Sequence, residues 1–302
     1  GLVDVPQTLL RKSPTATGKP LEITWAGALD LDLVDVPDPK KPGKKSTQPA
    51  VHRAILTGGA KIDDPTFQLS GDTLDVLIAN TTDATNPQAL EHLLATGNVT
   101  VKSIRAAAKN GEPASTVLPP DGINGQRLEL LTAASDDPNA KAPVPSRLLV
   151  DGDVMAWSYR SEKEAKAGAS GNVPATAPAR DKPPGKETIY GQHLDIALTA
   201  KAKSADTNAA MAGALGMGDY QATDFTADGG AAGSGVKIEL ENYAPHLIIA
   251  TAHDLHADPV SNRATLQGTP SALAKVTLAN ETLTGEKILL DQNKQTFEIT
   301  GP

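Results

Sequence analysis

The feature that most narrows the fold is a glycine that recurs among apolar residues spaced two apart. At Gly58, Gly97, Gly152 and Gly268, the residues two before are Leu56, Ala95, Val150 and Leu266, and four before are Ala54, Leu93, Leu148 and Ala264. Two after stand Ala60, Val99, Val154 and Pro270, and four after stand Ile62, Val101, Ala156 and Ala272. All are apolar, whereas the residues between them are mostly polar, as at Thr57, Thr96, Asp151 and Gln267. Period two is the period of a strand, so each copy is a strand with one dry and one wet face. A glycine at a fixed strand position marks a bulge or a close approach of another backbone. Gly27, within Ile23-Thr24-Trp25-Ala26-Gly27-Ala28-Leu29, fits the same column, and Gly301 fits it as far as the chain runs.

A second glycine pattern reads apolar-x-Gly-[Asp/Gln/Glu]-x-[Leu/Ile]-x-[Leu/Ile/Val]. Its copies are Leu69 to Val76 around Gly71, Ile123 to Leu130 around Gly125, Ile189 to Ile196 around Gly191 and Leu283 to Leu290 around Gly285. Ala252-His253-Asp254-Leu255 is a weaker copy with alanine in the glycine's place. The two patterns mostly alternate, at spacings of 26 residues from Gly71 to Gly97 and 16 from Gly285 to Gly301. The short spacings predict hairpin-like units with turns at Asp258–Asn262 and Asp291–Lys294. No second-pattern copy stands between Gly27 and Gly58.

Strand repeats with one apolar face cannot stand alone and must stack on neighbours. The expectation is an all-β, antiparallel, repeat-built sheet over residues 1–302, bent at the glycines into a V, a roll or a flattened barrel. Strand repeats are expected at about 21–34, 51–103, 123–160, 187–200 and 236–302. Insertions rich in Ala, Gly, Pro, Lys or Asp are expected at about 35–50, 104–122, 133–146, 161–186 and 203–234, with one or two helical turns possible at Ala209–Leu215. The last strand, Phe297 to Gly301, stops in mid-repeat, which predicts an edge that pairs end to end or a chain that is part of something longer.

Composition agrees with a thin, two-walled structure. Aromatic residues make up only 3% of the 302 residues, so the interior is built from Leu, Ile and Val. A net charge of −8 disfavours nucleic acid as a partner. Lys40, Lys41, Lys44 and Lys45 lie among prolines and a glycine and read as a solvated loop. With 0 cysteines there is no disulfide framework, a composition compatible with an oxidising periplasm. No stretch reaches the roughly 20 apolar residues of a membrane-spanning helix. The first residues, Gly1-Leu2-Val3-Asp4, carry neither a basic nor an apolar leader segment, so a signal peptide is expected to be absent from this chain.

Asn262-Arg263-Ala264-Thr265-Leu266-Gln267-Gly268 and Leu94-Ala95-Thr96-Gly97-Asn98-Val99, with their Gly-x-x-Leu-x-Leu partners, resemble the repeat of OstA-like lipopolysaccharide-transport proteins. The resemblance runs discontinuously from about residue 21 to 301. It implies a bent β-jellyroll, or β-taco, and a periplasmic bridge that carries lipid A acyl chains and joins head to tail in outer-membrane biogenesis. The long insertions depart from the family's pattern.

Catalytic and metal chemistry find little footing. His253 and His256 are three apart, so on a strand they point to opposite faces and do not grip one ion. His52, His92, His193 and His246 stand singly. The carboxylate pairs Asp30/Asp32 and Asp151/Asp153 lack the spacing of a calcium loop. Neither a nucleophile elbow nor a phosphate-binding loop is present. Trp25 falls on the dry side and Trp157 on the wet side, where it reads as packing or as a lipid or partner contact. The expected reading is therefore no enzyme, no cofactor and no metal. The candidate site is distributed over an inward apolar row of Leu56, Ile62, Leu69, Leu74, Val99, Leu128, Val150, Val154, Leu194, Leu266 and Ile288. This row is either a groove for lipid or lipopolysaccharide acyl chains or the closed core of a structural envelope module. The expected partners are lipid or lipopolysaccharide, and the chain itself or a related envelope protein through end-to-end strand pairing.

Overall fold

The computed structural model describes residues 2–4, 22–37, 47–64, 67–80, 88–103, 119–134, 143–160, 185–200, 220–230, 235–241, 247–278, 281–291 and 296–301. They form one 18-stranded sheet in which every pairing is antiparallel, with no helix among the described residues. The strands are β1 (Leu2–Asp4), β2 (Glu22–Thr24), β3 (Leu29–Pro37), β4 (Thr47–Asp63), β5 (Phe67–Asn80), β6 (Gln88–Ser103), β7 (Gly122–Ala133), β8 (Val144–Arg160) and β9 (Gly185–Ala200). The rest are β10 (Tyr220–Asp228), β11 (Val236–Glu241), β12 (Ile248–Ala252), β13 (Asp254–Asp258), β14 (Arg263–Gln267), β15 (Ala274–Leu278), β16 (Glu281–Gly285), β17 (Lys287–Asp291) and β18 (Thr296–Thr300).

The long strands β4 to β9 each run through two arms that meet at a corner. At β9 the sheet divides: its first half pairs with β11, which leads on to β12, β15 and β16. Its second half pairs with β10, which leads on to β13, β14, β17 and β18. A single layer buries an apolar face only by covering it with something. Inner-face residues of one arm (Ile62, Leu69, Ile123) and of the other (Leu74, Leu148, Ile196) belong to one buried cluster, each no more than 2% exposed. No helix or second sheet covers them among the described residues, and both arms contribute to the one buried cluster. Burying an aliphatic side chain contributes about 1.5–3 kcal/mol, and this burial is the main source of stability.

The corner shows why the two glycine patterns differ. In first-pattern strands the backbone turns left-handed over two residues: φ is +81° and +79° at Gly58-Gly59, +73° and +48° at Gly97-Asn98, and +80° and +49° at Gly152-Asp153. Each pair is a bulge facing a single residue. Thr96 pairs with Arg127 and Val99 with Gly125, which leaves Gly97-Asn98 opposite Gln126 alone. The side chain that lies flat on the glycine comes from the strand on the other side, the preceding second-pattern crossing. A Cβ on Gly97 would sit 2.8 Å from Asp72 Cβ, and one on Gly152 would sit 2.8 Å from Gln126 Cβ. The Asp/Gln/Glu position of the second pattern is thus the lid of the first pattern's glycine. Second-pattern glycines face the residue immediately after the bulge, as in Ala60 with Gly71, Val99 with Gly125 and Val154 with Gly191. At Gly125 and Gly285 a neighbouring side chain, from Val150 or Ile299, fills the space of the missing Cβ.

Four expectations are corrected. Gly27 does not belong to the first pattern: the chain crosses there from β2 to β3, the direction of second-pattern strands, and Gly27 lacks a positive φ. Its backbone rests on Gly58, in the place that Asp72 takes on Gly97. The second-pattern strand apparently missing before Gly58 is therefore Gly27's own. Gly268 also lacks a positive φ; its N–H donates to the Glu286 carbonyl at 2.8 Å. The insertion expected at 203–234 contains a strand, β10, because Phe225-x-Ala227-x-Gly229 is a first-pattern crossing whose corner is lengthened to Gly235. The insertion expected at 35–50 gives up 35–37 to β3 and 47–50 to β4. The helical turns considered at Ala209–Leu215, the lysines at 40–45 and the turn residues 292–294 lie outside the described residues. At Asp258–Asn262 the turn is present: the Val260 and Ser261 N–H groups donate to Asp258 Oδ1 at 2.8 and 3.0 Å.

Gly58 and Gly59 form a controlled pair, since both are left-handed but only Gly58 meets a backbone, with Gly27 N 2.4 Å from its added Cβ. Gly59→Ala is expected to cost the conformational strain alone, about 1–2 kcal/mol. Gly58→Ala should cost more, read as a lower urea midpoint than that of Gly59→Ala.

Candidate functional site

The inner face of the second arm is ordered as continuous rows. One row runs, each residue directly opposite the next, from Leu29 through Leu56, Leu74, Ala95, Leu128, Val150, Leu194, Ala227, Leu255, Leu266 and Ile288 to Ile299. The next runs from Leu31 through Ala54, Val76, Leu93, Leu130, Leu148, Ile196, Phe225, Ala257, Ala264 and Leu290 to Phe297. The first arm has its own row, from Ile23 and Ile62 through Leu69, Val101, Ile123, Ala156, Ile189, Ile238, Ala250 and Val276 to Leu283. No polar residue interrupts these rows.

The sequence-derived site residues fall on both arms. Leu56, Leu74, Leu128, Val150, Leu194, Leu266 and Ile288 share one row of the second arm, while Ile62 and Leu69 lie in the first-arm row. Val99 and Val154 sit beside the corner, each opposite a glycine. All eleven are closed off from solvent, the most exposed being Leu56 and Val154 at 3%. Row members outside that set include Ile196 and Phe225, buried on the same face. Phe225 was hidden from the repeat pattern by the lengthened corner that follows it.

The row through Leu31 surfaces at both of its ends, and the row that begins at the half-buried Leu29 surfaces at Ile299. Leu31 is 50% exposed on β3, and Phe297 and Ile299 are 46% and 42% exposed on β18. Among the described residues β3 pairs only with β4, and β18 only with β17.

The outer face is charged and largely self-neutralising. Arg53 donates to both Asp75 oxygens at 2.9 and 2.6 Å. A chain of contacts crosses four strands: His92 meets Glu129 at 2.7 Å, Glu129 meets Arg127, Arg127 donates to Asp151 at 3.0 Å, and Asp151 meets His193 at 2.8 Å. Burial pushes Asp151 upward, but hydrogen bonds from His193 and Arg127 outweigh it and leave its pKa below the ordinary carboxylate value. The hydrogen bond to Asp151 holds His193 above the ordinary imidazole value. His253 contacts Asp254 at 2.9 Å and His256 contacts Asp224 at 2.6 Å, so the two histidines have separate carboxylate partners. No group of three or more potential metal ligands gathers among the described residues. Trp25 packs against the core, while Trp157 lies over Gly122 and donates its Nε1–H to the Pro120 carbonyl at 3.0 Å. No protein-family model matches this sequence, and a comparison with curated proteins gives no match.

His193 has a raised pKa in the fold, so its contribution to stability is complete below the ordinary value of 6.5 and is lost as pH rises through the raised one. His193→Gln is therefore expected to lower the melting temperature at pH 6 and to match the parent at alkaline pH, checked by thermal melts across that range. The effect is modest, since the side chain is half-exposed.

Proposed function

We propose that this protein is a non-catalytic β module of the bacterial cell envelope, in the periplasm, that holds acyl chains of lipopolysaccharide or a related lipid between its two arms. The observation that carries this reading is the pair of apolar rows that run without polar interruption along the second arm. The repeat's resemblance to OstA-like proteins supports the same reading and a bent β-jellyroll for the two arms.

The physical balance is favourable. An acyl chain that slides between the arms replaces arm-to-arm contacts with arm-to-acyl contacts of similar area. The net gain is the chain's own removal from water, about 0.8 kcal/mol per CH₂. Small inward residues such as Ala95 and Ala156, 0% and 1% exposed, set the width. No covalent step is involved, and the histidines of the outer face serve as ion-pair partners.

A second reading is a closed scaffold module of an envelope filament or surface protein. The burial of all eleven row residues, at 3% exposure or less, favours it. The two readings part on one measurement. Titration with a fluorescent fatty acid is expected to show saturable binding, weakened several-fold by Ala95→Leu, which narrows the interior. Overpacking of this kind costs about 1–3 kcal/mol, so circular dichroism should show Ala95→Leu still folded. Absence of saturable binding by the parent protein rules out the lipid reading and leaves the scaffold.

A further inference from the structure

The hairpins β3–β4, β5–β6, β7–β8 and β9–β10, at the outer end of the second arm, share a second bulge on the strand that returns to the corner. Asp32 pairs with Arg53 but Leu33 pairs with Val51, which leaves His52 of β4 unopposed. Glu91 in β6, Ser146 in β8 and Thr223 in β10 are skipped in the same way. Each stands six residues before the corner glycine of its strand, Gly58, Gly97, Gly152 or Gly229.

Pairing between neighbouring hairpins stops where these bulges begin. β4 and β5 pair last at Arg53 and Leu77, β6 and β7 at His92 and Leu131, and β8 and β9 at Arg147 and Ala197. Past those residues each hairpin continues as a two-stranded ribbon, as in 78–80 with 88–90 and 198–200 with 220–222. The strands β13, β14, β17 and β18 lack this device and stay in one register out to Asp258, Arg263, Asp291 and Thr296.

A two-stranded ribbon alone is marginal in water. Ile78, Leu198 and Ala222 fasten these ribbons to the same buried cluster as the inner rows. Side chains supply the rest. His52 Nδ1 contacts the Ile78 carbonyl at 3.2 Å, and the Thr132 hydroxyl donates to the Glu91 carbonyl at 2.6 Å, each across a gap between hairpins. Within hairpins, the Ser146 hydroxyl donates to the Leu131 carbonyl at 3.2 Å and the Thr223 hydroxyl to the Ala197 carbonyl at 3.5 Å. Among the described residues, a ribbon strand thus has one paired neighbour where the sheet inside the bulges has two. It opens at a lower free energy than that sheet.

We propose that these four ribbons form a hinged flap over the outer end of the second arm. They swing at His52, Glu91, Ser146 and Thr223 and open the apolar rows to a ligand, while the sheet on the corner side stays paired. A bulge suits a hinge because its extra residue lies outside the ladder and absorbs a change of bend without a change of register. The flap deepens the proposed function, on which the nature of the ligand rests; the opening itself does not depend on it.

The sequence has 0 cysteines, so a single introduced thiol reports the movement. Ala222 and Ala227 lie on β10 on either side of Thr223 and are 2% and 4% exposed. N-ethylmaleimide is expected to label Ala222→Cys roughly tenfold faster than Ala227→Cys. The first rate should be flat in sub-denaturing urea and the second should rise with it, since a small opening exposes little surface. Ala89→Cys and Ala95→Cys, on either side of Glu91 in β6, repeat the comparison where circular dichroism shows a β10 variant unfolded. Equal labelling rates, or equal urea slopes, overturn the flap. Thr132→Val deletes the bond to the Glu91 carbonyl at constant shape. It is expected to speed labelling of Ala89→Cys several-fold. It should also raise the association and dissociation rates of a fluorescent fatty acid together, with Kd unchanged. Faster labelling with unchanged fatty-acid rates overturns the flap as the port of entry. A labelling contrast in a protein that binds no fatty acid removes the lipid reading and leaves the flap.

Discussion

Everything in this structure follows from a single sheet having to bury its own apolar face. With few aromatic residues, and no helix among the described residues to act as a cover, the apolar residues of both halves of the strands gather in one buried cluster. The fold therefore depends on a corner that every crossing makes at the same height. Left-handed backbone at Gly58, Gly97 and Gly152 makes that turn possible, and the preceding crossing closes over it, with the Gly27 backbone on Gly58, Asp72 on Gly97 and Gln126 on Gly152. If the corners fell at different heights, the aliphatic rows would no longer face each other, and the closure that stabilises the molecule would fail.

The outer face is organised by the same alternation. Where the inner positions are aliphatic, the outer ones carry acids and bases that meet across strands, as Arg53 meets Asp75 and Arg147 meets Asp195. Single exposed pairs contribute little, but the linked chain from His92 to His193 spans four strands and also specifies their alignment. The two faces are therefore redundant statements of one register, one written in apolar contact and the other in charge. An insertion of one residue within a strand would violate both.

The repeat was legible in the sequence because its signal is short-range and strict: a glycine with apolar residues two and four away predicts the dry face at Leu56, Val150 and Leu266, all buried here. The roles of the glycines were less legible. Gly27 matched the first pattern by its flanking residues, yet direction through the corner, which a local motif does not encode, places it in the second. β10 escaped for a different reason: its corner is stretched from Gly229 to Gly235, so the spacing that revealed the other crossings was lost. The pairing of each bulge with one overlying side chain is a relation between strands, and the sequence shows it only as an unexplained preference for Asp, Gln or Glu.

Because the glycine bulges lie at the corner, strand alignment is set far from the ends of the arms. The turn between Asp258 and Arg263, at the outer end of the second arm, can therefore change in length without disturbing which residue meets which inside. It is a natural place to graft a foreign peptide or a reporter. The molecule behaves like a bound book: its pages are fixed at the spine, and their outer margins can be cut to any width.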